Sequence, residues 1–303
     1  MTPRLSRRAF LGAFMGASGA ALVGCGGEGD GDSGAASTAT VTTPLGTVTV
    51  PLDPQRVVAV DSRQDLEIAL ALGLPVAGYT SPLIRPWVPL RGDPESLRSP
   101  VNIVELVRID PDLIICTNIE SPFWLTPELR SVAPVLPVDP RAPWQTNLAT
   151  IGGWLGREDV ADAEIKNYQD RIERVRSRHG ENLRESVAVV GIATDGTITD
   201  LSHTPTIPGV TVEDLGATVV RFTTDPEAPA DPDAAAAALA EADRILVSSD
   251  DPELEPDYLV DHPFLGQLPA VRTGRVIVTA DVSYGSVHTA LETVAQFDEL
   301  LRR

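Results

Sequence analysis

Short β-rich runs alternate with helical stretches along this chain, and this alternation limits the possible folds more than any other feature. The apolar runs of the first half are Val57–Val60, Val76–Tyr79, Leu113–Cys116 and Val135–Val138. A helical stretch at Asp65–Leu72, which stops at Gly73, separates the first two runs. Because strands that alternate with helices form parallel sheets with crossover helices, the pattern predicts an α/β lobe.

A second set of runs follows the same pattern. Its strands are expected at Val187–Ala193, Thr218–Val220, Ile245–Ser248 and Val276–Thr279, with helices at Val212–Leu215 and Val287–Leu301. The order of helix, acidic turn and buried strand in Glu105–Thr117 recurs at Ala238–Ser248. We therefore predict an α/β chain of two Rossmann-like lobes with parallel-type sheets.

The most regular helical pattern lies between the two sets, at Glu158–His179. Its apolar residues repeat at intervals of four and three: Ala161, Ile165, Tyr168, Ile172 and Val175. A shorter apolar stripe from Trp144 to Leu155 precedes it, and Gly180 is expected to end it in a left-handed conformation. The predicted boundaries are an N-terminal lobe at 44–141, a helical spine at 142–184 and a C-terminal lobe at 185–303.

The N-terminus has the features of an export signal at residues 1–24. Basic Arg4, Arg7 and Arg8 precede an uncharged stretch at Leu11–Val23, which is shorter than the ~20 residues that cross a bilayer. Ser6–Leu11 resembles the twin-arginine consensus, and Leu22–Cys25 resembles a lipobox, in which the Cys is acylated. We expect export by the twin-arginine route and lipid attachment at Cys25 to the outer face of the cell membrane.

Residues 25–43 are expected to form a disordered tether, because they are small and polar and offer no large side chain to bury. Loss of the signal removes three arginines and changes the formal charge from −19 to −22. An acidic chain of this kind does not suit nucleic acid or an anionic lipid surface. We expect a monomer that does not bind nucleic acid.

Few residues suggest catalysis or a resident metal. If Cys25 carries lipid, only Cys116 remains, so no internal disulfide forms, and its apolar surroundings indicate a buried strand thiol. No G-x-S-x-G, P-loop or H-E-x-x-H motif is present in the mature chain, and no two histidines have metal-ligand spacing. We predict neither an enzyme, nor a cofactor, nor a direct metal site.

The chain contains an ordered series of five motifs, at Arg56–Ala59, Ala71–Val76, Ile109–Ile114, Trp144–Glu158 and Pro263–Val278. Together they resemble the clamshell solute-binding proteins for ferric siderophores, haem and cobalamin. The resemblance covers residues 44 to 303. It implies a lipid-tethered receptor that captures an iron chelate between its lobes and delivers it to an ABC permease. It also implies a helical spine that limits lobe closure.

The resemblance directs attention to loops that follow the strands, where open α/β lobes bind ligands. The candidates in the first lobe are Arg63, Tyr79, Arg85, Trp87, Phe123 and Trp124. Those in the second lobe are His203, Arg221, Tyr284 and His288. For each of them, contact with the cleft and packing onto its own lobe both stay open.

The charge of the chain bears on the ligand. Ferric catecholates carry several negative charges and need a cluster of arginines, so the acidic balance favours a neutral or cationic hydroxamate chelate. Arg63, Arg85 and Arg221 remain possible donors to carbonyl or carboxylate oxygens. Haem is the alternative, with His203, Tyr284 or His288 as axial ligands, and cobalamin is another.

The expected permease-docking residues depart from the family pattern. Members of the family usually dock through a surface Glu in each lobe, the first lying seven residues before the Pro-Asp pair. Val104 occupies that position here, so Glu105 is the candidate in the first lobe and Asp233 in the second. The departure leaves open a third interpretation, in which the chain is an envelope interaction protein that has lost permease docking.

Overall fold

The computed structural model describes residues 37–60, 63–80, 84–117, 126–224, 230–251, 254, 256–261 and 265–303. The predicted signal, Cys25 and the first part of the predicted tether lie outside the described residues. No helix in the described part of the chain is both long enough and apolar enough to span a membrane.

The first ordered element is an antiparallel hairpin of β1 (Thr38–Thr43) and β2 (Gly46–Pro51). The prediction of a disordered tether up to residue 43 is therefore wrong for residues 38–43. Their β-branched side chains favour a strand, and Ala39 and Val41 pack against the main core. Apolar residues of this modest size are sufficient because β2 pairs with β1 along its whole length.

A parallel sheet forms the centre of the N-terminal lobe. Its strands in the described part are β3 (Val57–Val60), β4 (Val76–Tyr79), β5 (Glu95–Ser96), β6 (Leu113–Thr117) and β7 (Val135–Val138), in the order β5-β4-β3-β6-β7. The helices of this lobe are α1 (Arg63–Ala71), α2 (Ile103–Ile109) and α3 (Thr126–Val132). Cys116 is buried in β6, as its apolar surroundings predict.

Two helices connect the lobes, namely α4 (Trp144–Trp154) and α5 (Glu158–His179). The predicted spine helix is confirmed. The rings of Trp144 and Tyr168 meet edge to face, with centroids 5.0 Å apart. The left-handed conformation predicted for Gly180 is wrong: its φ is −51°, because the chain continues through right-handed residues into a 3₁₀ turn at Asn182–Arg184.

The C-terminal lobe repeats the parallel arrangement. Its strands are β8 (Ser186–Ile192), β9 (Ile198–Asp200), β10 (Thr218–Val219), β11 (Arg244–Ser249) and β12 (Val276–Ala280). The order β10-β8-β11-β12 is parallel, and β9 pairs antiparallel with β8. Its helices are α6 (Ile207–Leu215), α7 (Pro232–Leu239), α8 (Pro256–Asp261), α9 (Pro269–Arg272) and α10 (Val287–Leu300).

One continuous core connects the lobes through the spine. The buried face of α10, which includes Val287, Val294 and Phe297, packs against α5, α6 and the N-terminal-lobe helix α1. Burial of this apolar surface fixes the last helix of the chain against both lobes. The α/β architecture of two parallel sheets joined by a long helix is as predicted.

The contact between α4 and α5 generates a stability prediction. A Cβ at Gly152 would lie 2.9 Å from the Ala161 Cβ, whereas a Cβ at the adjacent Gly153 would meet no atom within 4 Å. We expect Gly152→Ala to lower the free energy of unfolding by about 1–3 kcal/mol through overpacking. Gly153→Ala is the matched control and should raise it by about 0.5–1 kcal/mol. Urea unfolding of both variants checks this, and equal midpoints would contradict the close packing of the two helices.

Candidate ligand cleft

Four charged side chains lie beyond the carboxyl ends of strands in the two sheets. Arg63 follows β3 and Arg85 follows β4 in the N-terminal lobe, whereas Asp250 follows β11 and Asp281 follows β12 in the C-terminal lobe. Ligands of open α/β sheets bind outside the carboxyl ends of the strands. We call these four residues the cleft floor.

Arg63 and Asp281 join the two lobes directly. The Arg63 Nη1 donates to the backbone oxygen of Asp281 at 2.6 Å, and Nη2 donates to the Asp281 Oδ2. The two side chains are only 13% and 15% exposed. Charge-assisted bonds of this kind in a covered site are stronger than those between exposed ions.

Arg85 makes a second bridge between the lobes. Its Nη2 lies 2.7 Å from the Asp250 Oδ1 and 3.6 Å from the Asp281 Oδ2. Its Nε is buried and has no hydrogen-bond partner in the described part of the chain. The Arg85 side chain is 10% exposed, whereas Asp250 is 57% exposed, so this bridge has one fixed end and one solvated end.

The backbone holds Asp281 in place. Its Oδ1 accepts a hydrogen bond from the Ser283 N–H at 2.9 Å and lies 3.4 Å from the Ser248 Oγ. Burial alone would raise the pKa of the Asp281 carboxyl, but the Arg63 charge and the Ser283 hydrogen bonds outweigh it and hold that pKa below its usual value. Asp281 is therefore a fixed negative charge between two arginines.

A buried carboxylate connects α1 to the amino terminus of α10. The Glu67 Oε2 accepts hydrogen bonds from the backbone N–H groups of Ser286 at 2.8 Å and Thr289 at 2.9 Å, and Oε1 accepts one from the Thr289 hydroxyl. These donors are among the N–H groups that a helix leaves unpaired at its start. The contact places an acidic side chain at the positive end of the helix dipole.

Two further residues complete this contact. The Trp87 Nε1 donates to the Thr289 hydroxyl at 3.0 Å. A Cβ at Gly285 would lie 2.7 Å from the Glu67 Oε1 and 2.6 Å from the Thr289 Oγ1, so only glycine permits the approach. Trp87, proposed from the sequence as a ligand contact, thus spans the two lobes beside Glu67.

Glu67→Gln should change the dependence of stability on pH. Burial raises the pKa of the Glu67 carboxyl above the usual 4.5, against the opposing hydrogen bonds of Thr289 and Ser286. The folded state therefore binds the Glu67 proton more tightly than the unfolded chain does, and protonation of Glu67 stabilises the fold. This stabilising contribution is complete below pH 4.5 and is lost as pH rises through the folded pKa. We expect the free energy of unfolding of the wild type, minus that of Glu67→Gln, to fall as pH rises from 4.5.

Urea unfolding at a series of pH values measures that difference. Glu158→Gln is the control for the change of charge, because Glu158 is exposed in the first turn of α5. A difference that rises with pH, or one that Glu158→Gln reproduces, would show that the Glu67 carboxyl is not held in a buried clamp.

A shallow groove of about 870 Å³ opens on the C-terminal lobe. His203, Arg221 and Phe222 line it, together with Ala234 and Ala238 of α7. The structure thus brings together His203 and Arg221, two of the residues proposed from the sequence. Beside them, Phe222 contributes an aromatic ring to the wall.

Buried Asp200 organises the loops of this groove. Its Oδ1 accepts a hydrogen bond from the Ser202 N–H at 2.9 Å, and its Oδ2 accepts one from the Phe222 N–H at 2.8 Å. The His203 Nε2 lies 3.0 Å from the Thr223 backbone oxygen. One carboxylate therefore fixes the turn after β9 against the segment after β10.

Two other residues proposed from the sequence, Tyr79 and Tyr284, differ in their burial. Tyr79 is buried in a small cluster with Leu66 and Val88, and Tyr284 is exposed. Phe123 and Trp124 lie outside the described residues. The cleft roles of all these residues stay predictions.

The histidines proposed as iron ligands line different cavities. His203 lines the C-terminal-lobe groove, whereas His288 lines a cavity of about 510 Å³ with Pro75, Arg91 and the spine residue Glu164. Burial lowers the pKa of His288. In the described part of the chain, no group of three or more His, Cys, Asp or Glu side chains is placed to hold a metal ion.

The two proposed docking acids differ in their surroundings. The Glu105 Oε1 is 3.0 Å from the Arg98 Nε, and most of the Glu105 side chain is covered. Asp233 is exposed in the first turn of α7. Val104 and Val107 are exposed on α2, so the family position of the docking Glu presents an apolar surface.

The family model described as "Periplasmic binding protein" matches residues 97–282, and the chain belongs to this family. Members of the family are binding components of transport systems rather than enzymes. A curated relative, the achromobactin-binding periplasmic protein of Dickeya dadantii (strain 3937), is 25% identical over 82% of this chain and 86% of its own length.

Solved structures show the same fold. The periplasmic solute-binding protein of Mycobacterium smegmatis str. MC2 155 superposes with a TM-score of 0.74 at 22% identity, covering 88% of this chain and 98% of its own. The petrobactin-binding protein YclQ of Bacillus subtilis gives a TM-score of 0.71 at 19% identity, covering 88% and 99%. These similarities agree with the clamshell resemblance of the motifs.

Four acidic residues of the site were missed from the sequence. Asp250 was not proposed as a site residue, although it follows a buried strand as Arg63 does. The same rule of strand carboxyl ends identifies Asp281 after β12 and Asp200 at the end of β9. Glu67 gave no such signal, because a carboxylate within a short helix carries no mark of a partner 219 residues away.

Proposed function

We propose that this chain is a lipid-anchored extracytoplasmic receptor that captures a ferric siderophore between its lobes and delivers it to an ABC permease. The observation that carries the proposal is the cleft floor, in which residues beyond the strand ends of both sheets meet across the lobes. The names of two relatives, an achromobactin-binding and a petrobactin-binding protein, support an iron chelate as the ligand.

The charge of the cleft floor supports a hydroxamate chelate. Asp250 and Asp281 balance the positive charges of Arg63 and Arg85. A ligand that meets this floor finds no net positive charge, so a highly anionic chelate would place uncompensated charge in a covered site. A neutral or cationic hydroxamate chelate avoids that cost.

The C-terminal-lobe groove supplies complementary chemistry for such a ligand. Arg221 is exposed at its wall and offers guanidinium donors to chelate oxygens. Phe222 offers an apolar ring surface. Haem is less well supported, because His203 and His288 line different cavities.

The anchoring and export parts of the proposal rest on sequence motifs. The twin-arginine and lipobox patterns of residues 1–25 support export in the folded state and acylation of Cys25. The charge of −22 that remains after loss of the signal indicates that electrostatic attraction to anionic lipid would not hold the protein at the membrane, so a covalent lipid is the proposed attachment.

Tryptophan fluorescence titration tests ligand capture. The full chain carrying Cys25→Ser, which cannot be acylated, is titrated with ferrichrome, ferrioxamine B, ferric enterobactin, haem and cobalamin, each beside its metal-free form where one exists. We expect saturable quenching by a hydroxamate chelate at micromolar or lower concentration. Arg221→Ala should weaken that binding by about tenfold, whereas Arg272→Ala on α9 should not change it. The absence of binding by a folded protein would exclude the receptor function.

Charge reversal tests the proposed delivery to a permease. We expect Glu105→Lys and Asp233→Lys to reduce uptake of the bound chelate by cells and to leave binding in solution intact, because Glu105 on α2 and Asp233 on α7 lie outside the cleft floor. Asp159→Lys on the spine is the control for the change of charge. Unchanged uptake in both docking variants would show that these acids do not replace the usual docking pair. Absence of any uptake that depends on this protein would favour the alternative of an envelope interaction protein, which the exposed Val104 and Val107 support.

A further inference from the structure

We propose that Asp281, assisted by Asp250, is a specificity-determining residue that selects iron chelates by their net charge. The two aspartates form ion pairs with the guanidinium groups of Arg63 and Arg85, which would otherwise bind anionic oxygens of a ligand. The receptor therefore discriminates against anionic chelates and accepts those of zero or positive charge. This inference rests on the proposed capture of a ferric siderophore.

The aspartates affect ligand binding because the two arginines that they neutralise are mostly buried. The Arg63 and Arg85 side chains are 13% and 10% exposed, and a covered guanidinium without a counter-ion is costly. A neutralising carboxylate must come from the protein or from the ligand. Here the protein already supplies it from the opposite lobe, so an anionic ligand brings excess negative charge or must displace an aspartate.

Asp281 is the stronger of the two determinants. It contacts Arg63 directly, lies 3.6 Å from Arg85 and is held by the Ser283 N–H at 2.9 Å. Asp250 pairs with Arg85 but with no second arginine in the described residues, and it is 57% exposed, so solvent screens it and a ligand can displace it more easily. Removal of the Asp281 charge should therefore change the relative affinity for anionic and hydroxamate chelates more than removal of the Asp250 charge.

Arg85 retains one donor for a neutral ligand. Its buried Nε has no partner in the described part of the chain, although its Nη2 is bound to Asp250. A carbonyl oxygen of a hydroxamate would satisfy that donor once the lobes part to admit the ligand, and it would do so without adding net charge. The floor is thus neutral in charge but still has hydrogen-bonding capacity.

Asp281→Asn provides the test. Asparagine keeps an oxygen that can accept from the Ser283 N–H, but it removes the negative charge between Arg63 and Arg85. Calorimetric titration of the full chain carrying Cys25→Ser compares ferrioxamine B (cationic), ferrichrome (neutral), ferric enterobactin and ferric dicitrate (both anionic). We expect Asp281→Asn to raise the affinity for anionic chelates, relative to hydroxamates, by about tenfold or more.

Three further variants make the result specific. Asp250→Asn should shift the same ratio in the same direction by a smaller factor, and it provides the test if Asp281→Asn does not fold. The double variant Arg63→Gln, Asp281→Asn removes one charge of each sign and should return the ratio towards that of the wild type. Asp159→Asn, an exposed change on the spine, should leave the ratio unaltered.

The outcomes separate this inference from the receptor function. If the wild type binds hydroxamates and neither aspartate variant alters the ratio, the receptor function stands and charge selection by Asp281 is wrong. If the wild type binds an anionic chelate more tightly than the hydroxamates, charge selection is also wrong. If no chelate binds to the folded wild type or to any variant, both are rejected.

Discussion

The hydrogen bonds from the start of α10 to the Glu67 carboxylate set the relation between the two lobes. Glu67 lies one helical turn after Arg63 on α1, and Ser286 lies five residues after Asp281. When Glu67 is bound beneath α10, Arg63 is brought to Asp281. The charged pairs of the cleft floor thus depend on a buried contact that never touches the cleft itself. Gly285 is required because a side chain would occupy the space through which the two lobes approach.

The spine gives this contact its rigidity. Trp144 and Tyr168 pack edge to face, and the same apolar core continues through α10 to α1. Close packing of this kind transmits displacement rather than absorbing it. The same packed core therefore resists movement of one lobe against the other.

The sequence predicted the fold well because periodicity reports burial. The apolar runs at β3, β6 and β11 and the stripe along α5 follow from which residues avoid water, and the structure confirms them. Residues 38–43 were assigned to the tether because their side chains are small, although a strand requires only a partner and a modest apolar face. The site was less predictable. Loop position identified Arg63 and Arg85 as residues near a cleft, but the acids that face them lie more than 160 residues away along the chain. Pairing across such a distance depends on tertiary structure and leaves no local pattern.

The aspartates of the cleft floor are tethered competitors for the ligand. A carboxylate fixed by its own backbone is present at an effective concentration that dilution cannot lower, so a ligand that needs the same guanidinium groups must overcome it at every protein concentration. The apparent affinity for such a ligand is its intrinsic affinity multiplied by the fraction of molecules in which the internal pair is open. Selectivity of this origin is set by the folded chain itself and holds at any concentration of the chelates.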